Sequence, residues 1–119
     1  MIHHLGVEVT DLAASARFYD AVFFALGARR MLENGAAIAY GRDDPTFWIV
    51  QRGREPQPGY GHVAFTAAGK AAVDAAYRAG ITEGGRSDGP PGPRPQYGPR
   101  HYAAYLRDPD GLRVEIVSR

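Results

Sequence analysis

The sequence predicts an α+β protein made of two copies of one βαβββ module. Three observations carry that expectation. The apolar run IHHLGVEV near the start is matched in pattern by GHVAFTA near the middle. Each run is followed by apolar residues at helical spacing that end at a glycine. After each helix come short strand-like runs separated by turn-forming residues.

The first module covers about residues 1–52. Alternation along its opening run sets Ile2, His4, Gly6 and Glu8 on one side of a strand and His3, Leu5, Val7 and Val9 on the other. Asp11 suits a helix N-cap, and Leu12, Ala16, Tyr19, Phe23 and Leu26 recur at helical spacing up to Gly27. Three strands are expected over Ala28–Glu33, Ala36–Arg42 and Thr46–Arg52, separated by Asn34-Gly35 and Asp43-Asp44-Pro45. The segment Gly53 to Gly59 carries Pro56 and Pro58 and reads as a linker.

The second module covers about residues 60–119. A helix is expected from about Lys70 to Ala79, with Val73, Ala76 and Tyr77 on one face and Gly80 as terminator. A strand near Ile81, a loop, a strand His101–Arg107, the turn Asp108–Gly111 and a last strand Leu112–Ser118 complete it. Half a chain of this size buries too little apolar surface to stand alone, so both halves should pack as one domain over residues 1–119. Edge strands left open at its rim invite a second chain.

Composition narrows the partners. The 119 residues are 45% apolar and 23% charged, as in ordinary globular chains. With 14 basic and 13 acidic residues scattered without a run, net charge is +1, which argues against nucleic acid and anionic membrane. No stretch approaches the roughly 20 apolar residues of a membrane span, and no secretory signal precedes the first strand, so a cytoplasmic protein is expected. The absence of cysteine excludes disulfides, thiolate zinc sites and cysteine nucleophiles.

The chemistry sits in His4, His62 and Glu115, each in a strand-like run, 58 and 53 residues apart near corresponding points of the two halves. Two imidazoles and one carboxylate suit a divalent transition metal with open coordination positions. Taken singly, each has an ordinary reading as a rim or surface residue. His3 points away from His4 and reads as packing or surface, with a register slip the one route to a ligand role. His101 reads as a surface histidine.

The segments HLGVEVTDLAASARFYDAVF, GHVAF and RDPDGLRVEIV, in this order and spacing, resemble the vicinal oxygen chelate superfamily of glyoxalase I, extradiol dioxygenases, fosfomycin-resistance transferases and bleomycin-resistance proteins. The resemblance covers nearly the whole chain. It implies an incomplete eight-stranded barrel, often completed in a homodimer, with a metal in its cup. Position by position, it puts the metal ligands on His4, His62 and Glu115 and implies iron, manganese, nickel or zinc.

Departures from the family pattern narrow the reaction. Glyoxalase I carries a further glutamate on the fourth strand, here TFWIVQR, where Ile49 takes the matching place and Gln51 lies a two-residue slip away. Without a base there, proton abstraction beside a carbonyl lacks its agent. Glu8 stands where glyoxalases tend to carry an arginine for a glutathione carboxylate, so the glutathione-dependent isomerase is disfavoured. Extradiol dioxygenases usually have longer chains, and the fosfomycin enzymes a potassium loop and a basic tail not seen here.

Ser87–Pro99 holds five prolines and three glycines among thirteen residues and reads as a long binding loop or a surface excursion. Arg94, Gln96, Tyr97 and Arg100 are its polar groups. Arg94 or Arg100 could hold a substrate anion, and Tyr97 or Tyr102 could donate a hydrogen bond to a metal-bound oxygen, with rim packing the ordinary alternative. The catalytic candidates are therefore Tyr102, Tyr97 and Arg100. Alternation allows at most one of Phe47 and Trp48 to face the cup. DPDG is a turn that sets the register of Glu115. Two functions follow from these residues: a metal-dependent enzyme on a small molecule with adjacent oxygens, or a bleomycin-resistance-type protein that sequesters a ligand.

Overall fold

A computed structural model describes all residues from Met1 to Arg119. The elements run β1 (Leu5–Val9), α1 (Leu12–Ala25), β2 (Arg29–Glu33), β3 (Ala37–Gly41), β4 (Phe47–Gln51), β5 (His62–Thr66), α2 (Lys70–Thr82), β6 (Arg86–Pro93), a 3-10 turn (Pro95–Tyr97), β7 (Tyr102–Arg107) and β8 (Arg113–Ser118). Each module forms its own four-stranded sheet, in the orders β1-β4-β3-β2 and β5-β8-β7-β6. The βαβββ repeat is thus present twice, with the first strand of each module parallel to its fourth.

Helix α1 begins where its sequence dictates. Asp11 Oδ1 accepts from the Ala14 amide at 3.1 Å, and Gln51 Oε1, from the end of β4, accepts from the Leu12 amide at 2.7 Å. Two of the first-turn donors are satisfied in this way. At the other end Gly27, at φ 74°, turns the chain into β2.

No strand pairing joins the two sheets; the modules meet through α1 and α2 and through a shared core. One cluster of 18 buried residues draws Phe18, Tyr19, Val22, Phe23, Ile38 and Ile49 from the first module and Val73, Ala76, Leu106, Val114 and Ile116 from the second. Neither half has a separate core of comparable size, as expected for modules this small. The Phe65 ring packs edge-on against Phe23 and Phe47, at 4.8 and 5.1 Å between centroids. The molecule is elongated, at 42 × 29 × 28 Å.

Three local expectations are corrected. Gly80 does not end the second helix, which continues to Thr82 and takes in Ile81. Gly80 is buried instead, and a Cβ there would lie 2.7 Å from Leu106 Cδ1 and 3.1 Å from Phe18 Cε1, so its smallness lets α2 approach α1. The strand placed near Ile81 is β6, Arg86–Pro93, which absorbs most of the stretch read as a loop. Proline is tolerated there because β6 is an edge strand with two register shifts against β7. The run at the amino end becomes a strand only at Leu5, leaving Ile2, His3 and His4 exposed ahead of it.

Candidate functional site

The pleat of the second sheet sorts its residues. Val63, Phe65, Ala104, Leu106, Val114 and Ile116 face the helices and join the core. The opposite, open face carries three cross-strand rows. The middle row is Ala64–Glu115–Tyr105–Gly89, flanked on one side by His62–Arg113–Arg107–Arg86 and on the other by Thr66–Val117–Ala103–Gly92.

Glu115 is the centre of this face. It is 5% exposed, yet both its oxygens meet an imidazole. His62 Nε2 lies 3.1 Å from Oε1, and His101 Nε2 lies 3.1 Å from Oε2. A buried carboxylate needs such partners, and here two separate side chains supply them. Tyr105, in the same row, is 8% exposed. Burial, the adjacent Glu115 charge and Tyr97 hold its hydroxyl above the usual phenol range, against the pull of Arg113 and Arg94. It is therefore a hydrogen-bond donor at neutral pH.

Of the three expected metal ligands, His62 and Glu115 come together and His4 stays apart. His4 is exposed ahead of β1, where its Nδ1 lies 2.8 Å from His3 Nδ1. No group of three or more histidine, aspartate or glutamate side chains within the chain is placed to hold a metal ion. One chain thus presents a partial ligand set, a carboxylate and the imidazoles around it, and not a full one.

The remaining candidates lie at varied distances from that centre. Tyr102 is on the helix-facing side of β7 and donates to Asp74 Oδ1 at 2.7 Å, a bond that raises its hydroxyl above the usual range. Tyr97 is exposed on the 3-10 turn, its ring centroid 5.4 Å from that of His101. Arg100 is exposed in the turn two residues before β7. Arg94 serves the backbone, donating to Pro90 O at 2.7 Å and Ala103 O at 3.3 Å, which pins the 3-10 turn beside β7.

On the first sheet the open face carries Gly6 and Glu8 of β1 opposite Trp48 and Val50 of β4. Phe47 and Ile49 point into the core, so Trp48 is the one of the aromatic pair on the open side. Ile49 is fully buried in the core and is not a cup position. Gln51 is occupied with the α1 amide. Glu8 is held by a two-point bond from Arg54, at 2.7 and 2.6 Å, which lowers its carboxyl from the usual range.

The sequence reading missed His101 and Tyr105. His101 precedes β7 in no motif, and only the bend after the 3-10 turn carries it over Glu115. Tyr105 was legible: it alternates with Leu106 on β7 and so had to face the side of Glu115.

The chain and its fold have known relatives. Residues 1–116 match the Glyoxalase/Bleomycin resistance protein/Dioxygenase superfamily. The chain belongs to that superfamily. It is similar to a glyoxalase/bleomycin resistance protein from Albidiferax ferrireducens T118, with 36% identity, a TM-score of 0.86, and coverage of 98% of this chain and 96% of that one. It is 29% identical to the uncharacterized protein YqjT of Bacillus subtilis (strain 168), across 98% of both chains. The fosfomycin resistance protein FosX from Mesorhizobium loti shares the fold, with 23% identity, a TM-score of 0.72, and coverage of 98% of this chain and 89% of that one.

Proposed function

We propose that this superfamily member is a metal-dependent enzyme acting on a small molecule through two adjacent oxygens, with its centre assembled between two copies of the chain. His62 and Glu115 come from the second module of one copy and His4 from the first module of the other. The observation that carries this reading is the Glu115 centre, a buried carboxylate on an open face with His62 Nε2 3.1 Å from one oxygen and His101 Nε2 3.1 Å from the other. Both sheets also keep their first strands, β1 and β5, at an unpaired edge, where a second copy can approach.

An ion bound there supplies Lewis-acid stabilisation of negative charge on the substrate oxygens. The chain's own groups do the rest. His101 occupies Glu115 Oε2 and leaves Oε1 on the side of His62, fixing the direction of the carboxylate. Tyr105 keeps its proton and can donate a hydrogen bond to a substrate oxygen. Proton removal next to a carbonyl has no carboxylate on β4 to perform it, since Trp48 and Val50 take the open-face positions. Tyr97, whose ring lies 5.4 Å from that of His101, and Arg100 on the same segment serve as substrate contacts in this reading, and Tyr102 supports β7 from behind.

The same β4 residues favour a second reading, in which the face binds an aromatic or apolar ligand without transforming it. Trp48 and Val50 supply apolar surface there and no reactive group.

Mixed dimers separate these readings. Untagged wild-type protein given manganese, iron, nickel or zinc is expected to hold about two ions per dimer, and His4→Ala or His62→Ala to lose them. Dimers mixed from the two variants would regain about one, because one of the two sites is then intact. Metal content by mass spectrometry checks this. Absence of any bound metal in wild type would overturn the metalloenzyme and leave the sequestering reading, and metal held by mixed dimers no better than by either variant would overturn assembly between copies.

A further inference from the structure

The row beside Glu115 is basic to an unusual degree for neighbouring strands. His62, Arg113, Arg107 and Arg86 follow one another across β5, β8, β7 and β6 on the open face. Like charges directly opposite one another on paired strands are destabilising. One acid offsets them: Asp88 Oδ2 accepts from Arg113 Nε at 2.8 Å and lies 3.1 Å from Arg107 Nε. Three guanidiniums against Asp88 and the neighbouring Glu115 still leave an excess of positive charge on the face.

Both Asp88 contacts engage the inner nitrogens. Arg107 Nη1 reaches the Gly111 carbonyl at 3.2 Å, while the terminal fork of Arg113 meets no acceptor in the chain. The Arg113 guanidinium lies 4.0 Å from the centroid of the Tyr105 ring. It is thus held by Asp88 at Nε and by Tyr105 on its face, with about a third of the side chain exposed. A guanidinium fixed in this manner loses little freedom when its free edge donates a two-point bond to an anion.

We propose that Arg113, with Arg107 beside it, binds an anionic oxygen-bearing group of the substrate, a carboxylate or phosphoryl group. Arg113 and Glu115 are two residues apart on the same face of β8, about 7 Å along the strand. The substrate class is therefore a small anion whose charged group sits roughly that far from the oxygens held at Glu115. This inference rests on the reading of the Glu115 face as the substrate face. It extends that reading by naming what lies beyond the metal-held end.

The test uses metal-free, full-length protein, so that its outcome is independent of metal binding. Inorganic phosphate and, separately, acetate are titrated at low salt and followed by amide chemical shifts and by calorimetry. Saturable binding is expected, with the largest shifts on β7 and β8 around Arg107 and Arg113. Arg113→Gln and Arg107→Gln should each weaken it by at least about tenfold, Arg113→Lys should weaken it less, and Arg78→Gln on the exposed side of α2 should leave it unchanged. Circular dichroism checks that the variants are folded, and the wild-type shift map stands without them. Phosphate binding alone assigns a phosphoryl group, and acetate binding, with or without phosphate, a carboxylate. Lack of saturable binding, shifts centred elsewhere, or binding that survives both glutamine variants would overturn the proposal. Loss of metal binding with anion binding intact would count against the proposed metalloenzyme alone.

Discussion

Asp108 illustrates how one residue of a turn can serve the whole chain. Its carboxylate is 3% exposed, with Oδ1 accepting from the amides of Asp110 and Leu112 at 2.9 Å and Oδ2 from the Tyr19 hydroxyl at 2.6 Å. The DPDG sequence therefore builds a turn, as its residue types indicate, and also ties the second module to helix α1 of the first. Tyr19→Phe keeps the ring stacked on Phe23 but leaves Oδ2 without a donor. The loss should be about 1–3 kcal/mol of unfolding free energy, the cost of an unpaired buried acceptor, read from urea denaturation. A variant as stable as wild type would show that the bond contributes nothing net. Tyr19 was legible as a core residue from its helical spacing; its hydroxyl partner 89 positions away was not.

At the scale of elements, β2, β3 and β4 begin and end within one residue of their expected limits, because Asn34-Gly35 and Asp43-Asp44-Pro45 punctuate them locally, whereas β1 starts three residues later than its apolar run. Helix α2 shows where local signals mislead. Gly80 reads as a stop, yet its backbone is helical and its lack of a side chain is used against α1. Replacing Gly with Ala inside a helix ordinarily stabilises it by up to about 1 kcal/mol. Here Gly80→Ala should destabilise by about 1–3 kcal/mol, since the new methyl meets Leu106, Phe18 and Val22 at 2.7–3.1 Å in a packed interface. Thermal unfolding checks the sign, and a gain in melting temperature would mean that the helices can separate without loss.

The whole molecule holds together through helix packing, a shared core and the Asp108 contact, so its stability should carry a pH signature from that buried acid. Burial raises the Asp108 carboxyl above its ordinary value of 3.8, against the lowering effect of its bonds from Tyr19, Leu112 and Asp110. Between 3.8 and that raised value the folded state binds more protons than the unfolded state. Stability from this group therefore falls as pH rises through the window. Glu8, Asp20 and Asp88, held low by arginine partners, act in the opposite sense and lose their contribution as pH falls. Asp108→Asn removes one term: its unfolding free energy minus that of wild type should climb as pH rises from 3.8 through the raised value. A flat or falling difference in urea titrations would contradict the assignment.

The sequence by itself determined the repeat and the order and limits of most elements, because each of these depends on periodicity or turn chemistry; the meeting of His62 with Glu115 was implied only by the family resemblance. Tertiary structure alone decided the rest. It placed His101 on Glu115 and Tyr19 on Asp108, put Ile49 in the core, and left His4 exposed outside β1. Contacts between residues far apart in the chain depend on how the modules pack, and no local pattern encodes that packing.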